Sequence, residues 1–80
     1  MTKKFIDNLK PGDIIVLDGI HREWARWAVA EVESSIIRFV VLHDISNSEW
    51  LGKLRSFAKC ELGQDSEDAE PSGPNWRLVR

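Results

Sequence analysis

A mainly β fold, with five short strands forming a small barrel, is predicted by three features of this 80-residue sequence. Two apolar runs rich in β-branched residues, 14–17 and 36–42, are typical of strands. Turn-forming Pro-Gly and Asp-Gly dipeptides flank the first run. Residues 75–80 alternate apolar with basic side chains and are expected to form a closing strand. We expect residues 1–80 to form a single domain, because a chain this short seldom builds two independent cores.

The first strand is predicted at Ile14–Leu17. Before it, Pro11 presets the backbone φ and Gly12 supplies a positive φ, which is the chemistry of a tight turn. After it, Asp18-Gly19 is a dipeptide that favours a two-residue hairpin. The strand is therefore expected to have a turn at each end.

Residues 20–33 fit either a helix or a strand. Five residues of this Ala-, Arg- and Glu-rich segment fall near one helical face: Ile20, Trp24, Trp27, Ala28 and Glu31. Residues 27–33 also alternate as a strand would, and a run with strong β propensity follows them. The favoured prediction is a long hairpin in which Arg26–Glu33 pairs with Ile36–His43.

Residues 47–60 allow a second choice between helix and strand. Ser46 and Glu49 have the spacing of a capping box, and apolar residues then recur at helical intervals, which predicts one short helix. A strand from Leu54 to Leu62 is favoured instead, because a helix would carry Gly52 in its first turns.

The segment 64–74 is the most polar part of the chain. It holds four acidic residues and two prolines but no large apolar side chain. Such a composition cannot bury enough apolar surface to become ordered, so a mobile, solvated loop is expected before the closing strand.

The order of these elements resembles that of small Src-homology-3-like barrels, KOW domains included. The resemblance rests on the turn Lys10–Asp13 before the strand Ile14–Leu17, a loop with charges and Trp, a central hairpin and a short closing strand. It implies a five-stranded barrel over most of the chain. Peptide-binding members carry Tyr and an acidic loop before a Trp pair, which this sequence lacks, and no functional residue is carried over.

Charge and hydropathy narrow the choice of partner and compartment. The formal net charge is −2 and the pI is about 5.6, so no overall basic field attracts phosphate backbones. The first residues, Met1-Thr2-Lys3-Lys4, lack the long apolar run of a signal peptide or membrane span. A cytoplasmic protein that does not contact membranes is expected.

Cysteine and histidine are too few for a familiar metal site. Cys60 is the single cysteine and cannot form an intramolecular disulfide. Together with His21 and His43 it gives three ligands without a Cys-x-x-Cys spacing. We therefore expect no metal and no cofactor.

No catalytic set stands out either. His43-Asp44 with Cys60 is the candidate for nucleophilic catalysis, but neighbouring residues on a strand point to opposite faces. Glu31 and Glu33 share a strand face, where nearby basic residues would make them a solvated stripe. The expectation is a protein that is not an enzyme, with His43 at the surface and Cys60 buried as a small hydrophobe.

The remaining signal is Trp and Arg in company, the residue types enriched at binding hot spots. The candidate binding residues are Arg22, Trp24, Arg26, Trp27, Trp50, Lys53 and Arg55. Trp27, Trp50 and also Trp76 are expected mainly to fill or cap the barrel, whereas Trp24, flanked by charges, is expected to be the most exposed ring.

Two functions follow from this signal. The first is a protein-binding module, a small regulator or inhibitor of the kind common in compact genomes such as those of bacteriophages. The alternative is a barrel that binds RNA or single-stranded DNA, with Trp rings stacking on bases and basic residues meeting phosphates. Either a monomer or a homodimer is compatible with an unpaired edge strand.

Overall fold

A computed structural model describes residues 3–19, 21–62 and 75–79 of the chain. Its five strands are β1 (Ile14–Asp18), β2 (Glu23–Val32), β3 (Ile36–Asp44), β4 (Leu54–Ala58) and β5 (Asn75–Val79). Its two helices are α1 (Lys3–Asp7) and α2 (Lys59–Leu62), and a 3₁₀ turn at Ser48–Trp50 precedes β4. The predicted mainly β fold of five strands is confirmed. The predicted acidic loop at 64–74 lies outside the described residues.

All five strands form one antiparallel sheet with the order β4-β3-β2-β1-β5. Consecutive strands pair from β1 to β4, and β5 returns to pair with the free side of β1. Across that pair, Ile14 lies opposite Val79 and Asp18 opposite Asn75. In the described part of the chain β4 and β5 are the two edges of the sheet and do not pair, so the barrel is not closed.

The sheet curls around one side chain of its central strand. Trp27 of β2 contacts Phe57 of β4, with ring centroids 5.4 Å apart and the rings within 6° of parallel. It also contacts Trp76 of β5, at a centroid distance of 4.9 Å. Two register shifts in β2, one of them beside Trp27, are bulge-like irregularities of the kind that increase local twist. The curl brings both edges of the sheet to the same tryptophan.

The predicted hairpin is confirmed, and the helical interpretation of residues 20–33 is wrong. Alternation along β2 places Ala25, Trp27 and Val29 in the hydrophobic core, opposite buried residues of β3. A helix turns by about 100° per residue, so it would point Trp27 away from the other two. The apolar surface that these three bury together explains why the strand forms.

The connection after β3 is neither the predicted helix nor the full predicted strand. Gly52 has a φ of 75°, which no residue inside a right-handed helix adopts, so helix near residues 47–60 is limited to the 3₁₀ turn and the first residues of α2. The strand beginning at Leu54 is confirmed as far as Ala58, but its extension to Leu62 is wrong. Ala58 pairs with Ile36, the first residue of β3, so the chain beyond it has no further β3 residue to pair with and turns into α2.

This early end of β4 also overturns the prediction for Cys60. The thiol lies on α2 and is exposed, not buried as a small hydrophobe. Had the strand continued, Cys60 would have shared a face with Ala58, which is half-buried.

The turn before β1 forms as predicted. Gly12 has a φ of 94°, the positive value that the third position of a type II turn requires. The Asp13 carboxylate accepts a hydrogen bond from the Lys10 backbone N–H at 2.9 Å. Gly12 N–H donates to the Val29 carbonyl, which fixes the turn against β2. The short helix α1 before this turn was not predicted, and Ile6 from it is buried in the core.

The connection between β1 and β2 is longer than the predicted two-residue hairpin. Asp18 pairs with Glu23, which leaves four residues between the strands, and Gly19 N–H donates to the Arg22 carbonyl at 2.8 Å. The glycine is needed here for close approach, because a Cβ atom at position 19 would overlap the indole of Trp24. This contact orients the Trp24 ring beside the sheet.

Candidate functional site

A cavity of about 300 Å³ is lined by residues from all five strands and from the loop and 3₁₀ turn after β3. All four tryptophans of the chain line it, although they come from β2, β5 and the 3₁₀ turn. The other lining residues are Leu17, Ala25, Asp44, Ser46, Asn47 and Phe57. We call this feature the Trp cavity.

Trp27 forms the buried part of the Trp cavity. Its side chain is 7% exposed and also contacts Trp50 at a centroid distance of 6.5 Å. Tilted and stacked ring pairs at these distances are favourable arrangements of aromatic quadrupoles. Rings from three separate parts of the chain are therefore fixed relative to one another by contact with Trp27.

Asp44 is a buried acidic residue among those that line the cavity. It is 6% exposed, and its Oδ2 accepts a hydrogen bond from Nε1–H of Trp27 at 3.3 Å. Its Oδ1 accepts from the backbone N–H groups of Ser46 and Asn47, each at 3.0 Å, as in an Asx turn. Within the ranges that the structure describes, no Lys, Arg or His lies within 4.0 Å of this carboxylate.

Trp24 forms the outer wall of the cavity. It is 38% exposed and is the most exposed of the four tryptophans, as predicted. Its carbonyl accepts a hydrogen bond from Ile45 N–H at 3.0 Å, which links the start of β2 to the loop that carries the Asp44 turn.

Trp50 carries a cation on one of its faces. The guanidinium carbon of Arg55 lies 4.2 Å from the centroid of the Trp50 ring, a cation–π contact. Nε of Arg55 is buried and has no hydrogen-bond partner among the residues that the structure describes. Arg55 does not itself line the cavity.

The structure divides the predicted binding patch. Trp24, Trp27 and Trp50 come together in the Trp cavity, and Arg55 lies against Trp50. The other three basic residues, Arg22, Arg26 and Lys53, are not among the lining residues. Arg22 and Lys53 are exposed, and Arg26 donates two hydrogen bonds to the Glu23 carboxylate at 2.7 and 3.1 Å.

Three of the arginines that the structure describes have a carboxylate partner. Arg77 pairs with Asp18 at 2.7 Å, and Arg38 pairs with both Glu33 at 2.7 Å and Glu31 at 3.1 Å. The hydrogen bond from Arg77 lowers the pKa of the Asp18 carboxyl, and the hydrogen bond from Arg26 lowers that of Glu23. The single guanidinium of Arg38 thus pairs with both Glu31 and Glu33.

Sequence reasoning missed several cavity residues. Asp44 was considered there only as a partner of His43, yet the order Asp-Ile-Ser-Asn after a strand is a signal for an Asx turn. Phe57 and Leu17 gave no signal as site residues, because their place in the cavity depends on how the sheet curls.

Clusters of metal-ligating side chains are absent from the described residues. Over residues 3–19, 21–62 and 75–79, no three His, Cys, Asp or Glu side chains are close enough to hold a metal ion.

Each helix in those ranges has at most five residues, so none is long and apolar enough to cross a membrane.

Comparison of the chain with protein-family models, with curated proteins and with solved structures finds no match. The likeness to Src-homology-3-like barrels consequently stays a prediction.

Proposed function

We propose that this chain is a non-enzymatic module that binds another protein through the Trp cavity and acts as a regulator or inhibitor of that partner. The observation that carries the proposal is the convergence of all four tryptophans on one open cavity. Concave, mainly apolar sites with a few polar groups are the usual form of binding sites, and Trp is enriched at the centres of protein interfaces.

Exposed apolar residues beside the cavity support a protein partner. Trp24 is 38% exposed, Ile45 37% and Leu51 50%. Ile45 lies between the cavity residues Asp44 and Ser46, and Leu51 follows Trp50. Apolar side chains around a pocket are the surface that a protein partner would cover.

A nucleic-acid-binding barrel is the second candidate, and one observation favours it. Arg55 lies on Trp50, and the described residues provide no carboxylate within 4.0 Å of it, as would suit contact with a base and a phosphate. Against it, Arg26, Arg38 and Arg77 are paired with carboxylates, so phosphates would have to displace those partners. Protein binding is the better supported of the two.

The proposal also includes the fold family and the cellular location of the protein. The return of β5 to β1 supports an open Src-homology-3-like barrel, and a single exposed Cys60 suits the reducing cytoplasm. Among the described residues β4 and β5 are edge strands, and we propose either a monomer or a homodimer that pairs through one of them.

Two measurements test the function. Photocrosslinking in extract of the source cell would compare the wild-type protein with Trp24→Ser and with Leu54→Ser, a control at a position that is 56% exposed and outside the cavity. A protein partner should be lost with Trp24→Ser and kept with Leu54→Ser. Equal crosslinking by the wild type and both variants would place the interface elsewhere.

Titration with single-stranded and duplex oligonucleotides at low and moderate salt, followed by Trp fluorescence, tests the alternative. Saturable quenching that fades as salt rises would favour nucleic acid. No quenching at either salt would leave protein binding as the function.

A further inference from the structure

The walls of the Trp cavity are suited to a positive charge. The face of an indole ring is the negative end of its quadrupole, and Trp attracts cations more strongly than Tyr or Phe does. Four indoles line this one cavity, and the chain already contains a cation on an indole, in the 4.2 Å contact between Arg55 and Trp50.

The carboxylate of Asp44 adds a fixed negative charge to this wall. The Asp44 residue is 6% exposed, and its carboxylate accepts hydrogen bonds from three uncharged N–H groups. Buried charges are normally paired with an opposite charge, because removing an ion from water is costly. In the part of the chain that the structure describes, no cationic group lies within 4.0 Å of it.

Two basic side chains near the cavity are engaged elsewhere. Arg55 lies against the Trp50 ring and is not a lining residue of the cavity. Arg26, next to the residue that pairs with Asp44, forms an ion pair with Glu23. The cavity volume of about 300 Å³ is in the range of small-ligand sites and leaves room for a side chain from outside.

We propose that the Trp cavity binds the cationic head of an Arg or Lys side chain, with the indoles around the charge and Asp44 as its counter-ion. This inference rests on the proposed function, since the side chain would belong to the partner protein. It names the residue type on which the partner's binding depends.

The first test uses small probes and the four indole N–H resonances of a ¹⁵N-labelled sample. N-acetyl-arginine amide and N-acetyl-lysine amide are titrated beside N-acetyl-citrulline amide, which has nearly the shape of the arginine probe but no charge. The Trp27 and Trp24 indole resonances should shift with the arginine or the lysine probe, and binding of citrulline should be about tenfold weaker. The stronger of the two cations identifies the partner's residue.

Variants separate charge from shape. Asp44→Asn should weaken cation binding by on the order of tenfold or more and leave citrulline binding unchanged. Trp24→Leu keeps an apolar wall, removes the indole face and should weaken cation binding severalfold, which gives a second variant if Asp44→Asn unfolds. Leu54→Ala is the matched control outside the cavity and should bind all probes as the wild type does.

Three results would overturn the inference. The first is that citrulline binds as tightly as arginine and lysine. The second is that inorganic phosphate, and not the cationic probes, shifts the indole resonances. The third is that no probe shifts any indole resonance. These results are distinguishable from failure of the proposed function. If crosslinking to a partner requires Trp24 but the charged and uncharged probes bind equally, the protein-binding function stands and the proposed cation site is wrong.

Discussion

The indole N–H of Trp27 donates to the carboxylate of Asp44 across 17 positions of sequence, and both groups are buried. The hydrogen bond connects the middle of β2 to the end of β3, where Asp44 also holds the turn that leads to Trp50. One contact thus connects the core of the sheet to a wall of the Trp cavity. Its energetic role can be measured directly.

Replacing Trp27 by Phe should lower the free energy of unfolding by about 1–3 kcal/mol, because the Asp44 oxygen loses its donor while a ring still fills the core. Urea unfolding of Trp27→Phe, Asp44→Ala and the double variant forms a thermodynamic cycle, because alanine offers the Trp27 indole no oxygen to donate to. We expect the two losses not to add. Strictly additive losses would mean that the hydrogen bond does not stabilise the fold.

Replacing Gly19 by Ala should displace the Trp24 indole, since the new methyl group would overlap that ring. The Trp24 indole resonance should move, and binding at the cavity should weaken. Gly52→Ala is the matched control, because its Cβ would meet nothing within 4 Å and the variant suffers only the strain of a φ of 75°, about 1–2 kcal/mol. An unmoved Trp24 resonance in Gly19→Ala would contradict the predicted overlap.

The ion pair between Asp18 and Arg77 should make part of the stability depend on pH. Arg77 lowers the pKa of Asp18 in the folded protein below its ordinary value of 3.8. The stabilising effect is therefore complete above that ordinary value and is lost as the pH falls through the lower folded value.

Urea unfolding midpoints of the wild type and Arg77→Gln at pH 7, 4, 3 and 2 test this expectation. The difference between them should be small at pH 7, as for other exposed pairs, and should shrink towards zero in acid and in high salt. A difference that grows as the pH falls would show that the pair does not stabilise the folded state.

Cys60 should react with a thiol reagent in the native protein, because its side chain is exposed on α2. The rate in buffer should be within severalfold of the rate in denaturant, where every thiol is exposed. Labelling that required unfolding would show that position 60 is buried after all. Far-UV circular dichroism of the labelled protein provides the control for an intact fold.

The parts of the fold that were predictable from the sequence are those with local causes. Pro11 and Gly12 specify their turn by backbone preference, and β-branched runs specify β1 and β3. The helix α1 was missed because five residues are too few to show helical periodicity. The exposure of Cys60 was predicted wrongly because α2 begins where β3 offers no further partner, and that limit depends on strand register.

The candidate site was predictable in part. The charged neighbours of Trp24 in the sequence predicted an exposed ring, and this prediction is confirmed. The meeting of Trp76 with Trp27 depends on the pairing of β5 with β1 and on the curl of the sheet, neither of which leaves a local trace. The separation of Arg26 from the cavity has a local cause instead, because neighbouring residues of a strand point to opposite faces and Arg26 precedes Trp27 on β2.

The pairing of β5 with β1 also has a consequence for the order in which the molecule folds. Strands β1 to β4 pair with their neighbours in sequence, whereas Arg77 meets Asp18 across 59 positions. Distant contacts carry the larger loop-closure entropy and tend to form late, so β5 should dock onto a nearly complete four-stranded meander. It should also be the strand that opens most often, exposing its amides to hydrogen exchange. A ligand held between Trp76 and the rest of the cavity would keep β5 docked, and slower exchange in this strand would report its binding.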